Sequence, residues 1–259
     1  MAGPPVASAA WAQLQAPSGW RSIELLSDLH LQADEPATFE VWRRYLAQTQ
    51  ADALFLLGDL FEVWVGDDAA REPGFESDCA QALQAAVQRR PVYFMAGNRD
   101  FLLGADFLAR TGMQGLHDPT LLAFAGRRWL LSHGDALCLD DTDYQQFRAQ
   151  VRSPGWQQAF LARPLGERRA LARGIRAESE ARKRSQPLLA DVDAAMAREW
   201  LAAAAADTLV HGHTHRPGEH LLPGGGRRIV LSDWDATAEP ARAQVLRLDA
   251  GGARRIDLV

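Results

Sequence analysis

Hydrophobic positions fall in short runs through the first half of the chain, and these runs alternate with amphipathic stretches of helical period. The pattern predicts strands at 23–27, 53–57 and 91–95, with helices at 36–48, 76–88 and a short one at 105–110 between or after them. Residues 120–124 and 127–132 read as a hairpin turned at Ala125-Gly126. From 140 to 206 the period becomes helical throughout, with breaks at Ser153-Pro154-Gly155, Arg163-Pro164 and Gln186-Pro187. Strands then return at 208–210, 219–222, 227–231, 244–248 and 254–258. This order predicts an α/β fold in which a sheet carries helices on its faces. The block at 140–206 reads as an insertion between strands, placed as a helical cap, and 21–259 as one domain behind an N-terminal tail at 1–20.

Composition narrows the class without naming a function. The chain has 259 residues, 47% hydrophobic and 24% charged, which excludes a disordered or fibrous protein. A net charge of −5 argues against a nucleic-acid binder driven by overall charge. The cysteines Cys79 and Cys138 have no paired spacing, so neither a disulfide framework nor a zinc knuckle is expected, which suits a cytoplasmic setting. The Ala- and Pro-rich start lacks the basic head and apolar run of a signal peptide, and no apolar stretch is long enough to span a bilayer.

Charge and histidine placement are more informative than their totals. Each early strand runs into polar residues: Ser27-Asp28-Leu29-His30, Gly58-Asp59, Gly97-Asn98-Arg99-Asp100, Ser132-His133-Gly134-Asp135 and His211-Gly212-His213-Thr214-His215. Ligands of α/β sheets collect beyond the carboxyl ends of the strands, so the five segments are expected to meet. Singly, each reads as readily as a turn. Alternate residues of an extended Gly-His-x-His segment, however, point the same way and can serve one site. Carboxylates, imidazoles and an amide together form an O/N donor set suited to Mn, Fe or Zn.

The ordered set Asp-x-His, Gly-Asp, Gly-Asn-Arg-Asp, His-Gly-Asp and Gly-His-x-His resembles the calcineurin-like metallophosphoesterase superfamily over residues 23–234. The resemblance implies a four-layer αββα sandwich holding two divalent ions. Asp28, His30, Asp59 and His215 would bind one ion and Asp59, Asn98, His133 and His213 the other, with Asp59 as the bridge. Asp59, Asn98 and Arg99 would be the catalytic residues, and His211 a supporting imidazole that is not a ligand. The longer stretches 58–68, 97–104, 133–138 and 211–217 resemble the branch of that superfamily that hydrolyses the pyrophosphate of a lipid-linked UDP-sugar in lipid A biosynthesis, usually with Mn²⁺. Such enzymes work as peripheral proteins on the anionic cytoplasmic face of the inner membrane. The resemblance gives Asn98, Arg99, Asp141, Phe160, Arg176, Ser179, Lys183, Gln186 and His213 as substrate-binding residues. Lys183 and Gln186 depart from the family's usual wording, as does Ser232-Asp233-Trp234-Asp235. No obligate protein partner is evident.

The helical block bears on the same point independently. Between Arg163 and Arg184 there are eight basic residues and three acidic ones, within a chain whose total is negative. Arg169, Arg173 and Arg176 fall on one helix face beside a stripe of Leu165, Ala172 and Ile175. Such a face suits a ligand with phosphates and acyl chains, or an anionic membrane surface. A soluble metallophosphodiesterase acting on a nucleotide, and a non-catalytic scaffold of the same fold, are the competing readings.

Overall fold

Alternation of side chains along the buried strands divides the interior between two faces of one sheet. In the strand 53–57, Leu54 and Leu56 enter one apolar cluster and Phe55 and Leu57 another, and all four are fully buried. A computed structural model describes residues 11–185 and 191–259, and the side chains of all of these except 177–185. In chain order the strands are β1 (Ala12–Gln15), β2 (Ser22–Leu26), β3 (Ala53–Leu57), β4 (Val92–Met95), β5 (Gln114–Leu116), β6 (Thr120–Phe124), β7 (Arg127–Leu131), β8 (Thr208–His211), β9 (Gly218–Leu221), β10 (Arg227–Val230), β11 (Gln244–Asp249) and β12 (Gly252–Asp257). The helices are α1 (Pro36–Gln48), α2 (Phe75–Val87), α3 (Ala105–Thr111), α4 (Thr142–Val151), α5 (Pro154–Leu161), α6 (Leu165–Ser185) and α7 (Ala194–Ala204).

Two six-stranded sheets result, ordered β12-β11-β2-β3-β4-β5 and β1-β6-β7-β8-β10-β9. Ile23, Leu25, Phe55 and Met95 of the first sheet meet Leu122, Trp129, Val210 and Ile229 of the second in a shared core. On the outer face of the first sheet, Leu54, Leu56 and Phe94 pack on Trp42, Leu46 and Leu83 of α1 and α2. On the outer face of the second, Leu121, Leu130 and Leu209 pack on Ala197, Leu201 and Ala204 of α7. The layers therefore run α, β, β, α, as the resemblance implied. Among the described residues no helix is long and apolar enough to cross a membrane.

Two expectations need correction, and one strand lies outside the sequence pattern. The tail expected at 1–20 contains β1, which pairs in parallel with β6 (Ala12 opposite Thr120). Trp11 rests on Trp200, with ring centroids 5.7 Å apart, and Ala16 is buried in the inter-sheet core. Residues 1–10 lie outside the described residues. The short edge strand β5, pairing with β4, was not expected at all. Finally, α7 is not cap: Ala197, Leu201 and Ala204 make a buried apolar stripe that packs on the second sheet, leaving α4, α5 and α6 as the insertion proper.

Arg168 anchors α6 to the loop after β3. It is 2% exposed, donates from Nη1 to Asp68 Oδ1 (2.9 Å) and to the Val65 carbonyl, and pairs through Nη2 with Asp68 Oδ2. Its Nε caps the Arg163 carbonyl at 2.9 Å. Replacing it with methionine keeps the bulk and strands the Val65 and Arg163 acceptors. Arg168→Met is expected to lower stability by about 1–3 kcal/mol, read as a lower urea midpoint, with the loss confined to the α6 region in hydrogen exchange. An unchanged midpoint would show that α6 docks through its apolar residues alone.

Candidate metal centre

The five polar segments do converge. β2, β3 and β4 run parallel, as do β7 and β8, so their carboxyl ends lie at one edge of the sandwich. Strand-like bonds carry the pairing one step beyond the strands: Asp28 N donates to the Gly58 carbonyl (3.0 Å), His30 N to the Asp59 carbonyl (3.1 Å) and Gly212 N to the His133 carbonyl (2.9 Å). The turns that follow are sharp. Five of the seven non-glycine residues with positive φ, among the described residues, are Asp28, His30, Asp59, His213 and His215. Left-handed backbone costs an L-residue about 1 kcal/mol or more, and here that strain is concentrated on the expected ligands. The glycines within the motifs serve close approach. A Cβ on Gly212 would come 2.2 Å from Asp28 Oδ2, and one on Gly58 would come 2.4 Å from His133 Nδ1.

The donor atoms face one another. His133 Nε2 lies 3.0 Å from Asn98 Oδ1 and 3.6 Å from Asp59 Oδ1, and His213 Nδ1 lies 2.8 Å from the same Asn98 oxygen. His215 Nε2 lies 3.5 Å from Asp28 Oδ1 and 3.2 Å from His30 Nε2, which in turn is 4.0 Å from Asp59 Oδ2. Asp28, His30 and His215 make one compact group and Asp28, Asp59 and His133 another, so both carboxylates stand between the two sets of imidazoles.

Cations fit this arrangement. His30 Nδ1 sits 2.6 Å from the Glu62 carboxylate and His133 Nδ1 sits 2.9 Å from the Leu57 carbonyl, so both rings carry their proton on the outer nitrogen. Their inner Nε2 lone pairs then meet carboxylate and carbonyl oxygens, which is favourable only around positive charge. The same negative field acts on His133 itself: burial opposes protonation, yet the Asp59 and Asp28 carboxylates raise its pKa to about 9. His211 behaves differently. It is fully buried, turned to the Gly212 carbonyl (2.8 Å), and burial holds its pKa down at about 4. It stands outside both ligand groups.

Around the donors lies a set of side chains to which no role was given in advance. Asp100, fully buried, accepts from the backbone nitrogens of Gly97 (2.7 Å), Leu60 (2.7 Å) and Asp59 (3.3 Å) and so ties two ligand loops together. Asp135, also fully buried, takes Tyr144 Oη (2.6 Å), Arg148 Nε (2.8 Å) and Arg152 Nη2 (3.3 Å). Arg152 also donates to the Gly97 carbonyl at 2.9 Å, and the Tyr144 ring stacks on His213. Each of these aspartates stands inside a motif quoted above. The signal was the presence of acidic residues beyond those needed as ligands.

The cap residues are spread more widely. Arg99 reaches Glu62 at 3.6 Å, and Arg176 reaches the same Glu62 oxygen at 3.1 Å, so both lie at the mouth of the site. Asp141 is exposed and caps α4, accepting from Tyr144 N at 3.0 Å. Phe160 is buried, stacked on Trp156 with centroids 4.8 Å apart, and belongs to the core cluster. Leu165 and Ala172 pack on the core, whereas Leu161, Leu171 and Ile175 are exposed. The side chains of Ser179 and Lys183, and Gln186 altogether, lie outside the described residues.

Comparison with known proteins places the sequence as follows. The sequence pattern of the family described as calcineurin-like phosphoesterase matches residues 22–217. A protein of Chromobacterium violaceum named UDP-2,3-diacylglucosamine hydrolase is 49% identical over 246 residues, covering 92% of this chain and 99% of the relative. Proteins of the same name from Stenotrophomonas maltophilia and Bordetella parapertussis are each 45% identical, over 88% and 91% of this chain and 94% of each relative. With its candidate ligand residues assembled at the strand ends and its sequence matched over most of its length, the chain belongs to the calcineurin-like phosphoesterase family.

Proposed function

We propose that the protein hydrolyses the pyrophosphate bond of UDP-2,3-diacylglucosamine, by water attack on the α-phosphorus, to give UMP and 2,3-diacylglucosamine 1-phosphate. The observation that carries this reading is a complete O/N ligand set beside a basic helix with exposed leucine and isoleucine, in a chain whose relatives bear that activity as their name. Asp28, His30, Asp59 and His215 would hold one divalent ion and Asp59, Asn98, His133 and His213 a second; the donors suit Mn, Fe or Zn, and the family resemblance implies Mn²⁺ among them. Two such ions would polarise phosphoryl oxygens and lower the pKa of a bound water. The chain's own residues then bind and orient. Arg99 presents a forked donor to the charge that develops on phosphorus, and Asn98 reaches the same phosphate.

Acyl chains are assigned to the side of α5 and α6 where Leu161, Leu171 and Ile175 are exposed, each between 38% and 41%. Arg169 and Arg173 stand on the same helix and suit the anionic surface of the inner membrane, where the protein would sit peripherally on the cytoplasmic face. Asp141, Ser179, Lys183, Gln186 and His213 complete the substrate contacts, with Phe160 backing them through Trp156.

Purified protein given UDP-2,3-diacylglucosamine and Mn²⁺ should release UMP. Turnover of a simple nucleotide phosphodiester with none of the lipid substrate would favour a soluble phosphodiesterase instead. Replacing Arg169, Arg173 and Arg176 together by glutamine should raise KM for the diacylated substrate by about tenfold, or ~1.4 kcal/mol of binding. A water-soluble phosphodiester should be affected much less. Equal losses on both would remove the reason for assigning lipid to this helix.

A further inference from the structure

Glu62 stands three residues after Asp59 and is 7% exposed. Its two oxygens have separate partners. Oε2 lies 2.6 Å from His30 Nδ1, while Oε1 lies 3.1 Å from Arg176 Nε and 3.6 Å from Arg99 Nη1. Arg176 also donates to Gln32 Oε1 at 3.5 Å, on the segment that follows His30. A metal-site loop, the loop after β3 and the cap helix therefore meet on one buried carboxylate. An ionised carboxylate has about four acceptor positions, so it can serve all of these donors at once. The His30 contact is short, as a charge-assisted bond is, while the two guanidinium groups stand at ion-pair distance.

The geometry points to Glu62 as a positioning residue that couples the docking of α6 to the orientation of His30. This rests on the reading of the site given under Proposed function. By accepting from Nδ1, Glu62 fixes which nitrogen of His30 carries the proton and turns Nε2 toward Asp28 and Asp59. By accepting from Arg176, the same group holds the middle of α6 at the mouth of the site, eight residues beyond the Arg168 anchor. Movement of the cap away from the site would take one partner from Glu62 and leave its charge to His30 and Arg99. Incoming phosphate, which draws the same two guanidinium groups, has a similar effect. Cap position and metal-ligand orientation are thus joined through a residue that needs to touch neither ion nor substrate.

The test uses the full chain with Glu62→Gln, Arg176→Met and the double variant. Three quantities are measured: the Mn²⁺ binding isotherm without substrate, the nitrogen NMR shifts of the His30 ring, and KM with kcat for the diacylated UDP-sugar. Glu62→Gln should weaken one of the two Mn²⁺ sites by about 10–100-fold and move the His30 ring toward a mixture of tautomers. Arg176→Met should raise KM and, because Glu62 then loses a partner, also shift the His30 ring and weaken the same Mn²⁺ site, by less than Glu62→Gln does. In the double variant KM should rise no further than in the worse single variant, because both act through one contact. Unaltered Mn²⁺ binding and ring shifts in Glu62→Gln, or KM effects that multiply, would overturn the coupling. If Glu62→Gln does not fold, Glu62→Asp replaces it. The shorter side chain cannot span both partners, so it should lose either the His30 tautomer or the KM coupling, and retention of both overturns the proposal. Wild-type protein that fails to cleave the lipid substrate bears on the function alone, since the isotherm and the ring shifts are read without turnover.

Discussion

Asp59→Asn is expected to reduce turnover by about a thousandfold or more while the protein remains folded. Asp59 is 2% exposed and lies between the imidazoles of His30 (4.0 Å) and His133 (3.6 Å). Its Oδ1 also accepts from Arg99 N at 2.8 Å, so the carboxylate positions the backbone of the residue proposed to meet the phosphate. Asparagine keeps the size and one carbonyl oxygen but removes the charge facing both proposed cations. Two adjacent buried carboxylates, Asp59 and Asp100, repel one another; burial and that repulsion push the Asp100 carboxyl up to about 7. Removing one of the charges relieves part of this repulsion. The same substitution withdraws the attraction of Asp59 for His133 and His30, so the two effects oppose and the metal-free melting temperature should stay within a few degrees of the wild type. Mn²⁺ titration should show at least one site lost. Near-normal turnover would place the bridging role elsewhere, with Asp28 the next candidate because it belongs to both ligand groups.

That Asp59 could be singled out from the sequence, and Glu62 could not, has a physical origin. The candidate ligand residues sit in sharp turns at strand ends, where the chain needs glycine and where strand periodicity stops, so they leave a local mark. Gly58-Asp59, Gly97-Asn98 and Gly212-His213 all carry it. Glu62 and Arg168 act through partners far along the chain, Arg176 and Asp68 respectively, and nothing local distinguishes Arg168 from Arg169 or Arg173. The fold divides in the same way. β3, apolar at every position, was legible to its boundaries, whereas β1 and β5 are short edge strands with glutamines turned to solvent. Amphipathic period identified α7 as a helix, but it could not say which apolar surface α7 would cover. Placing α7 in the cap was an error of partner and not of secondary structure.

Gly97→Ala should be the most damaging change that removes no functional group. A Cβ at this position would come 2.1 Å from Asp59 Oδ1 and 2.4 Å from Asp59 N, well inside contact distance. Retreat is blocked on both sides, because Gly97 N donates to the buried Asp100 (2.7 Å) and its carbonyl accepts from Arg152 (2.9 Å). The added methyl must displace either Asp59 or the Asn98 loop. A shift of about 1 Å in either should lower turnover by roughly a hundredfold, with overpacking costing about 1–3 kcal/mol in stability. Gly174→Ala supplies the contrast. Gly174 lies within α6 with no atom near its absent Cβ, so alanine there should stabilise the helix by about 1 kcal/mol and leave turnover intact. The pair separates two reasons for glycine, closeness to a ligand and mere tolerance. Equal behaviour of the two variants would mean that the site does not depend on how closely the β3 and β4 loops approach.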